Sequence, residues 1–348
     1  MRQDNNFDLL RLILASMVFL VHAYVLSGEK DLAFLLGYVS ADFAIKGFFV
    51  VSGYLIFRSF ESSRSLRDYF DKRLRRIYPA FACVIVLCAL AGGFVSALPW
   101  QEYLSPALVR YLAANLVFMN FLAQELPGVF VGNPLQAVNG ALWTIKVEVA
   151  FYVSVPVIVW SYRRFGVVRV ATALYLFSVA YLVGLQTLAE HTGKGYWTVL
   201  SRQLPGQLSY FIVGGLFHYH EAALRRWMSK FALLSMAYLF IGNAWLDPLL
   251  TPICLGFVVM YFATGLPSLG NFGRLGDISY GVYIIHFPVL QLMVWKGLFA
   301  RNATSALILS AILVGVLAVA SWHLVEKRWL RKTSHYVVAS GPGEGGVQ

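Results

Sequence analysis

The chain has 348 residues, of which 59% are hydrophobic, 16% aromatic and only 13% charged, with a mean hydropathy of +0.66. This composition excludes a soluble globular domain and points to an all-α, polytopic membrane helix bundle. The formal charge of +11 does not indicate a nucleic-acid partner, because the basic residues sit in short clusters between apolar segments, as positive-inside topology requires.

The long apolar runs exclude a membrane β-barrel and leave helices as the means of crossing. Ten spans are expected, at Leu9–Leu26, Phe34–Phe57, Ile77–Leu98, Ala141–Trp160, Val167–Leu188, Leu204–Phe217, Phe231–Trp245, Leu249–Thr264, Ile278–Leu298 and Ala303–Leu324. A charged loop is expected from Arg58 to Arg76. The apolar segment Ala107–Leu122 is short. Counting it as a span would put the basic run from Arg163 to Arg169 outside, so it is read as interfacial or re-entrant. With the N-terminus inside, the clusters Arg73/Arg75/Arg76, Arg163/Arg164/Arg169, Arg225/Arg226/Lys230 and Lys327/Arg328/Arg331/Lys332 all become cytoplasmic, as do both termini. The expected organisation is one membrane domain over 1–332 and a disordered cytoplasmic tail over 333–348, rich in glycine and small residues. Cys83, Cys88 and Cys254 fall inside expected spans with no metal-ligand spacing, so no metal is expected.

The first span carries Arg11 and His22, eleven residues apart. Three helical turns place them on one face, about 16 Å apart along the axis. Ionisable side chains are costly in a membrane and face a bundle interior or a wet cavity. On spacing alone, Arg11 as an inner anchor and His22 as a satisfied polar group weigh about equally with a functional pair. Glu148, in the run Leu142 to Tyr152, falls at a depth similar to His22, where a carboxylate can orient an imidazole that acts as a general base. An ion pair with Lys146 or Arg11 is its structural alternative. Tyr280, Tyr283 and His286 form a polar stripe on one helical side, fit to line a cavity or to hold a neighbouring helix. Asp42 and Lys46 stand at i, i+4 and can pair. The basic run Asp71 to Pro79 suits either anionic lipid headgroups or a phosphate cradle, since arginine forks take phosphate oxygens bidentately. Ser52 is a possible nucleophile, although a serine before glycine in a helix is more often a packing position.

Five stretches together resemble acyltransferase family 3, the bacterial membrane proteins that O-acylate cell-surface and exported glycans. Asp8, Leu10, Arg11 and His22 match its opening motif, and Phe48 to Ile56 match its Phe-Phe-x-x-Ser-Gly-Tyr-Leu-Ile motif. Lys72, Arg73, Arg76, Ile77 and Pro79 match its basic motif. Leu142 to Tyr152 match the tryptophan and glutamate motif, with Thr144 and Ile145 for Ser and Leu, and Gly276 to Pro288 match its Ile-Ser-Tyr-x-x-Tyr-x-x-His-x-Pro pattern. The likeness runs from Asp8 to about Leu330. Near its end, Glu326 is followed by Lys327 and Arg328 where many members have proline.

The resemblance implies an enzyme of the bacterial cytoplasmic (inner) membrane that moves acetyl from cytoplasmic acetyl-CoA, as co-substrate, to a hydroxyl of an outer glycan or lipid-linked glycan. O-antigen or another surface polysaccharide is the expected acceptor; membrane lipids are the remaining partner, and no oligomeric state is implied. On this reading His22 (as general base or as transient carrier of the acyl group), Glu148 and Arg11 are catalytic and Arg73, Arg75 and Arg76 hold the CoA phosphates. Tyr283, His286, Ser52 and Asp42 meet the acceptor. The alternative is a transporter or flippase of an acyl donor or glycan, since a polar path with arginine, glutamate and histidine also describes one. The absence of an inverted repeat in the sequence speaks against it.

Overall fold

The computed structural model describes residues 5–270, 272 and 276–331. Among the described residues every regular element is helical. The tail expected at 333–348, and Lys332 before it, lie outside them. The principal helices are α1 (Phe7–Ser27), α2 (Ala41–Glu61), α3 (Leu66–Val95), α4 (Pro106–Leu116), α5 (Trp143–Phe165), α6 (Val167–Thr192), α7 (Leu204–Tyr219), α8 (Met228–Ile241), α9 (Asp247–Met260), α10 (Ser279–Trp295) and α11 (Ala303–Ser321).

Among the described residues, seven helical segments are long and apolar enough to cross a membrane. They are α1, α2, α3, Gly140–Phe165 around α5, α6, Asp247–Gly265 continuing α9, and Ala303–Trp329 continuing α11. The remaining three expected spans coincide with the shorter helices α7, α8 and α10. Two boundaries differ from expectation. The second span starts at Ala41, because Lys30–Gly37 forms a separate 3₁₀ turn. The expected loop before the third span is mostly helix, since α3 begins at Leu66. A helix that extends beyond the bilayer into water keeps charged side chains at no cost, and Asp71 and Arg75 pair at i, i+4 on its surface.

The chain falls into two compact units, neither of them a contiguous stretch. One comprises Met1–Leu10, Asp42–Phe70 and Val147–Gly270, the other Arg11–Ala41, Asp71–Lys146 and Asn271–Gln348. In the first unit, α7 is apolar on every side and is buried from Gly206 to Gly215, as a helix with no polar face must be. It packs on α6 and α9. It also meets α2 backbone to backbone. A Cβ on Gly53 would overlap the Phe211 carbonyl, and one on Gly214 would overlap the Val50 carbonyl. Small residues permit this close approach, which membrane helices use in place of a hydrophobic driving force. Asn6 ties the chain start to the end of α9. Its amide nitrogen donates to the Phe262 and Pro267 carbonyls at 3.1 and 3.0 Å, and its oxygen accepts from Leu269 N at 2.8 Å.

In the second unit the buried helix is α10, which packs on α11 with Gly281 against Ala318. The ambiguous segment Ala107–Leu122 resolves into the eleven-residue α4 and a turn, too short to span. It dips beside α3 and returns. At the far end of α3, the Tyr103 hydroxyl donates to the Ala89 carbonyl at 2.5 Å and Leu126 packs on Gly92. Three turns back, Phe118 stacks on Phe81, with ring centroids 4.5 Å apart, and meets Tyr78 edge-on. The excursion along α3 is therefore about 16 Å. The returning strand of chain lies against α10, where Gln291 donates to the carbonyls of Leu135 and Ala137 and the Asn139 amide donates to the Ile284 carbonyl. Non-helical backbone at membrane depth persists only when its polar groups are satisfied in this way.

Candidate active site

The two histidines singled out in the sequence meet. His22 projects from α1 and His286 from α10, with His22 Nδ1 2.8 Å from His286 Nε2 and the rings within 9° of parallel. Phe19, Tyr283 and Phe287 stand edge-on around the pair. The other nitrogen of His286, Nδ1, lies 3.2 Å from the Val282 carbonyl, one turn back on α10. A carbonyl can only accept, so Nδ1 of His286 carries a proton. In the neutral ring Nε2 is then an acceptor and takes a hydrogen bond from His22 Nδ1–H. The consequence falls on the far side of His22, whose Nε2 is left with its lone pair.

A second cluster lies toward the start of α10. Asp277 accepts from the guanidinium groups of both Arg11 and Arg76. Its other oxygen accepts from the Ser279 hydroxyl at 2.5 Å. Arg76 also donates to Glu326 at 3.1 Å, and Glu326 accepts from the Ser321 hydroxyl at 3.0 Å. The rings of Tyr280 and Trp322 flank the Arg76 guanidinium. Both carboxylates are 2% exposed. Among these described residues two arginines face two acids, so their charges balance, which is the condition for burying such groups. Asp277 lies two residues before α10, and His286 seven residues beyond its first residue, Ser279, about 10 Å along the axis.

Arg75 is exposed and held at 2.8 Å by Asp71, which also accepts from Arg331. Arg73 is half-buried in the same helical turn. The Tyr283 hydroxyl lies 2.7 Å from that of Thr144, which donates to the Ala141 carbonyl. The first unit holds the remaining candidates. Glu148 accepts from Tyr152 at 2.5 Å and from Ser52 at 3.4 Å, so two motifs nearly a hundred residues apart converge on one carboxylate. Asp42 is exposed and pairs with Lys46 at 2.6 Å.

A family model described as an acyltransferase domain matches residues 4–325. The chain belongs to this family. The acyltransferase is 30% identical to an O-acetyl transferase of Shigella phage Sf6, over 96% of this chain and 98% of that protein. It is 27% identical to nodulation protein 10 of Rhizobium leguminosarum bv. viciae, over 93% of this chain and 92% of the relative. No solved structure matches it. General-base catalysis of acyl transfer calls for an unprotonated nitrogen or oxygen, and the hydrogen bonds of the histidine pair leave His22 Nε2 unprotonated.

Sequence reasoning missed two residues of the buried ion-pair cluster, Asp277 and Glu326. The signal was present, because an acid within or beside an apolar helix requires a cation, and Arg11 and Arg76 each required an anion. It also missed that His22 and His286 share a hydrogen bond.

Proposed function

We propose that this acyltransferase moves an acetyl group from cytoplasmic acetyl-CoA to a hydroxyl of an extracytoplasmic glycan, with O-antigen or another surface polysaccharide as the acceptor. Its place is the bacterial inner membrane, with both termini in the cytoplasm. The name of the phage relative supports the O-acetyl assignment. The observation that carries the mechanism is the relay from the Val282 carbonyl through His286 to His22, which leaves His22 Nε2 unprotonated.

In the proposed reaction His22 Nε2 takes the proton of the acceptor hydroxyl as its oxygen attacks the thioester carbonyl. The tetrahedral intermediate collapses with cleavage of the carbon–sulfur bond, and the proton passes to the departing thiolate. His286 acts as a positioning residue that fixes the tautomer and plane of His22. Arg73 and Arg75 take the CoA phosphates at the cytoplasmic end of α3. Arg76 and Arg11 meet a phosphate only by exchanging a carboxylate for it, so their proposed part is to order the inner end of the path. Glu148, fixed by Tyr152, stays in the proposed machinery, and Tyr283, Ser52 and Asp42 stay as acceptor contacts.

The test is label transfer from radiolabelled acetyl-CoA in inverted membrane vesicles supplied with acceptor. A positioned base contributes about 10²–10⁴-fold in rate, so His22→Ala lowers transfer by at least about a hundredfold at equal membrane protein. Equal label from wild type and variant sinks the base assignment. Failure of wild type to use acetyl-CoA removes the donor.

A further inference from the structure

The re-entrant segment carries an anomaly at its tip. Asn120 is 1% exposed, and neither its carboxamide oxygen nor its nitrogen has a hydrogen-bond partner. The other buried carboxamides, on Asn6, Asn115, Asn139, Gln207 and Gln291, each donate at least one hydrogen bond. Burying both halves of an amide unpaired is a substantial cost that native proteins rarely carry without a use. Two residues before it, Phe118 sits at φ +63, a left-handed conformation that a bulky residue adopts only under constraint. The constraint is visible. Asn115 closes the tip by donating to the Tyr111 and Ala123 carbonyls at 2.8 and 2.7 Å, while Phe118 is clamped on Phe81. The fold thus maintains a strained turn whose product is an unpaired amide at depth.

The depth identifies what that amide is for. On α3, Phe81 lies five residues beyond Arg76, about 7.5 Å toward the far end. Arg76 stands level with Asp277, and His286 stands about 10 Å along α10 from Ser279, the second residue after Asp277. The loop tip therefore lies at a depth between those of the arginine–carboxylate cluster and the histidine pair. On its other side the Lys146 ammonium caps the Phe121 ring at 4.5 Å. A thioester donor whose phosphates enter at α3 and whose acyl carbon reaches His22 must lay its pantetheine arm across this interval. That arm is a chain of two secondary amides. In its trans form a secondary amide presents its N–H and its carbonyl on opposite sides, so the Asn120 nitrogen can donate to one amide carbonyl while its oxygen accepts from another amide N–H, and the two amides of the arm supply both.

We propose that Asn120 is a donor-binding residue that hydrogen-bonds the amides of the pantetheine arm and holds the thioester on its path to His22. The proposal rests on the acetyl-CoA reading above. Because Asn120 has no partner to lose in the free protein, its removal does not weaken the fold, which separates a ligand role from a structural one.

The experiment uses the purified full-length enzyme in liposomes with two donors, acetyl-CoA and an acetyl thioester of a simple alkyl thiol that contains no amide. Asn120→Ala is expected to raise the KM for acetyl-CoA by about tenfold or more, the effect of losing one to two hydrogen bonds. It leaves the kinetics with the amide-free thioester within about twofold, and the melting temperature without ligand does not fall. Asn120→Asp, which keeps only the acceptor half, falls between wild type and alanine. An acetyl-CoA KM within twofold of wild type overturns the proposal, as does an equal loss with both donors. A rise confined to the KM of the acceptor overturns it and assigns Asn120 to the glycan. Wild-type enzyme that uses the alkyl thioester but not acetyl-CoA overturns the donor reading, and the proposal with it.

Discussion

Replacing Asp277 by asparagine tests whether the arginine–carboxylate cluster is one charge-balanced unit. Asparagine keeps the shape and can still accept from Ser279 or one guanidinium, but the cluster of Arg11, Arg76, Asp277 and Glu326 passes from neutral to one net positive charge. Side-chain exposures of 17% and 13% for the arginines and 1% for the aspartate leave little water to screen the imbalance. Removing one partner of a buried ion pair costs about 3–5 kcal/mol. The retained hydrogen bonds put Asp277→Asn at ~3 kcal/mol, a fall in melting temperature of roughly 4 °C for a chain of this size. The assay is thermal unfolding of detergent-purified protein, run as a double-mutant cycle with Arg11→Gln. The double variant is neutral again, so it should recover about 1–3 kcal/mol relative to the sum of the single changes. A melting temperature for Asp277→Asn within about 2 °C of wild type, with strictly additive effects in the cycle, would refute the charge-balance argument.

Two further outcomes follow from the geometry. In ¹⁵N spectra of histidine-labelled protein, His22 should show a protonated Nδ1 and a bare Nε2; His286→Ala should populate the opposite tautomer and lower transfer by about tenfold or more. An unchanged spectrum would mean that His286 does not fix the ring. Gly53→Ala drives a methyl into the Phe211 backbone, which cannot rotate away, so monodisperse protein in size-exclusion chromatography should fall with a destabilisation of at least about 1–3 kcal/mol. Wild-type yield from Gly53→Ala would show that α2 and α7 can separate without penalty.

The helices were legible because hydropathy is a local property, and each expected span coincides with a helix. Boundaries failed where water replaces lipid: from Leu66 to Arg76 the chain is charged yet helical, since charge marks the end of the membrane and not the end of a helix. The site was legible in its residues and not in its pairings. His22 and His286 are 264 residues apart, and nothing local to either foretells the 2.8 Å contact. Arg11 read as catalytic and Arg76 as a ligand of the CoA phosphates because their carboxylates lie in other segments. Asp277 stood inside the motif from Gly276 to Pro288 and was passed over for the more familiar tyrosines and histidine. Asn120 had no signal at all, because an unsatisfied amide is a property of the fold and not of the residue.

The re-entrant segment has a consequence for how the protein is made. It enters and leaves at the same end of α3, so it adds no crossing and cannot be threaded through the bilayer as a span during synthesis. Its backbone is paid for largely by α10, whose Gln291 and Ile284 are synthesised more than 140 residues later. Until α10 arrives, the carbonyls of Leu135 and Ala137 and the amide of Asn139 have only water or lipid to meet, and lipid offers no hydrogen bonds. The segment must wait at the aqueous boundary and sink into place after the last helices are inserted. Assembly of the re-entrant segment is thus a late, post-translational event, and substitutions at Gln291 should stall a chain that is already fully integrated in the membrane.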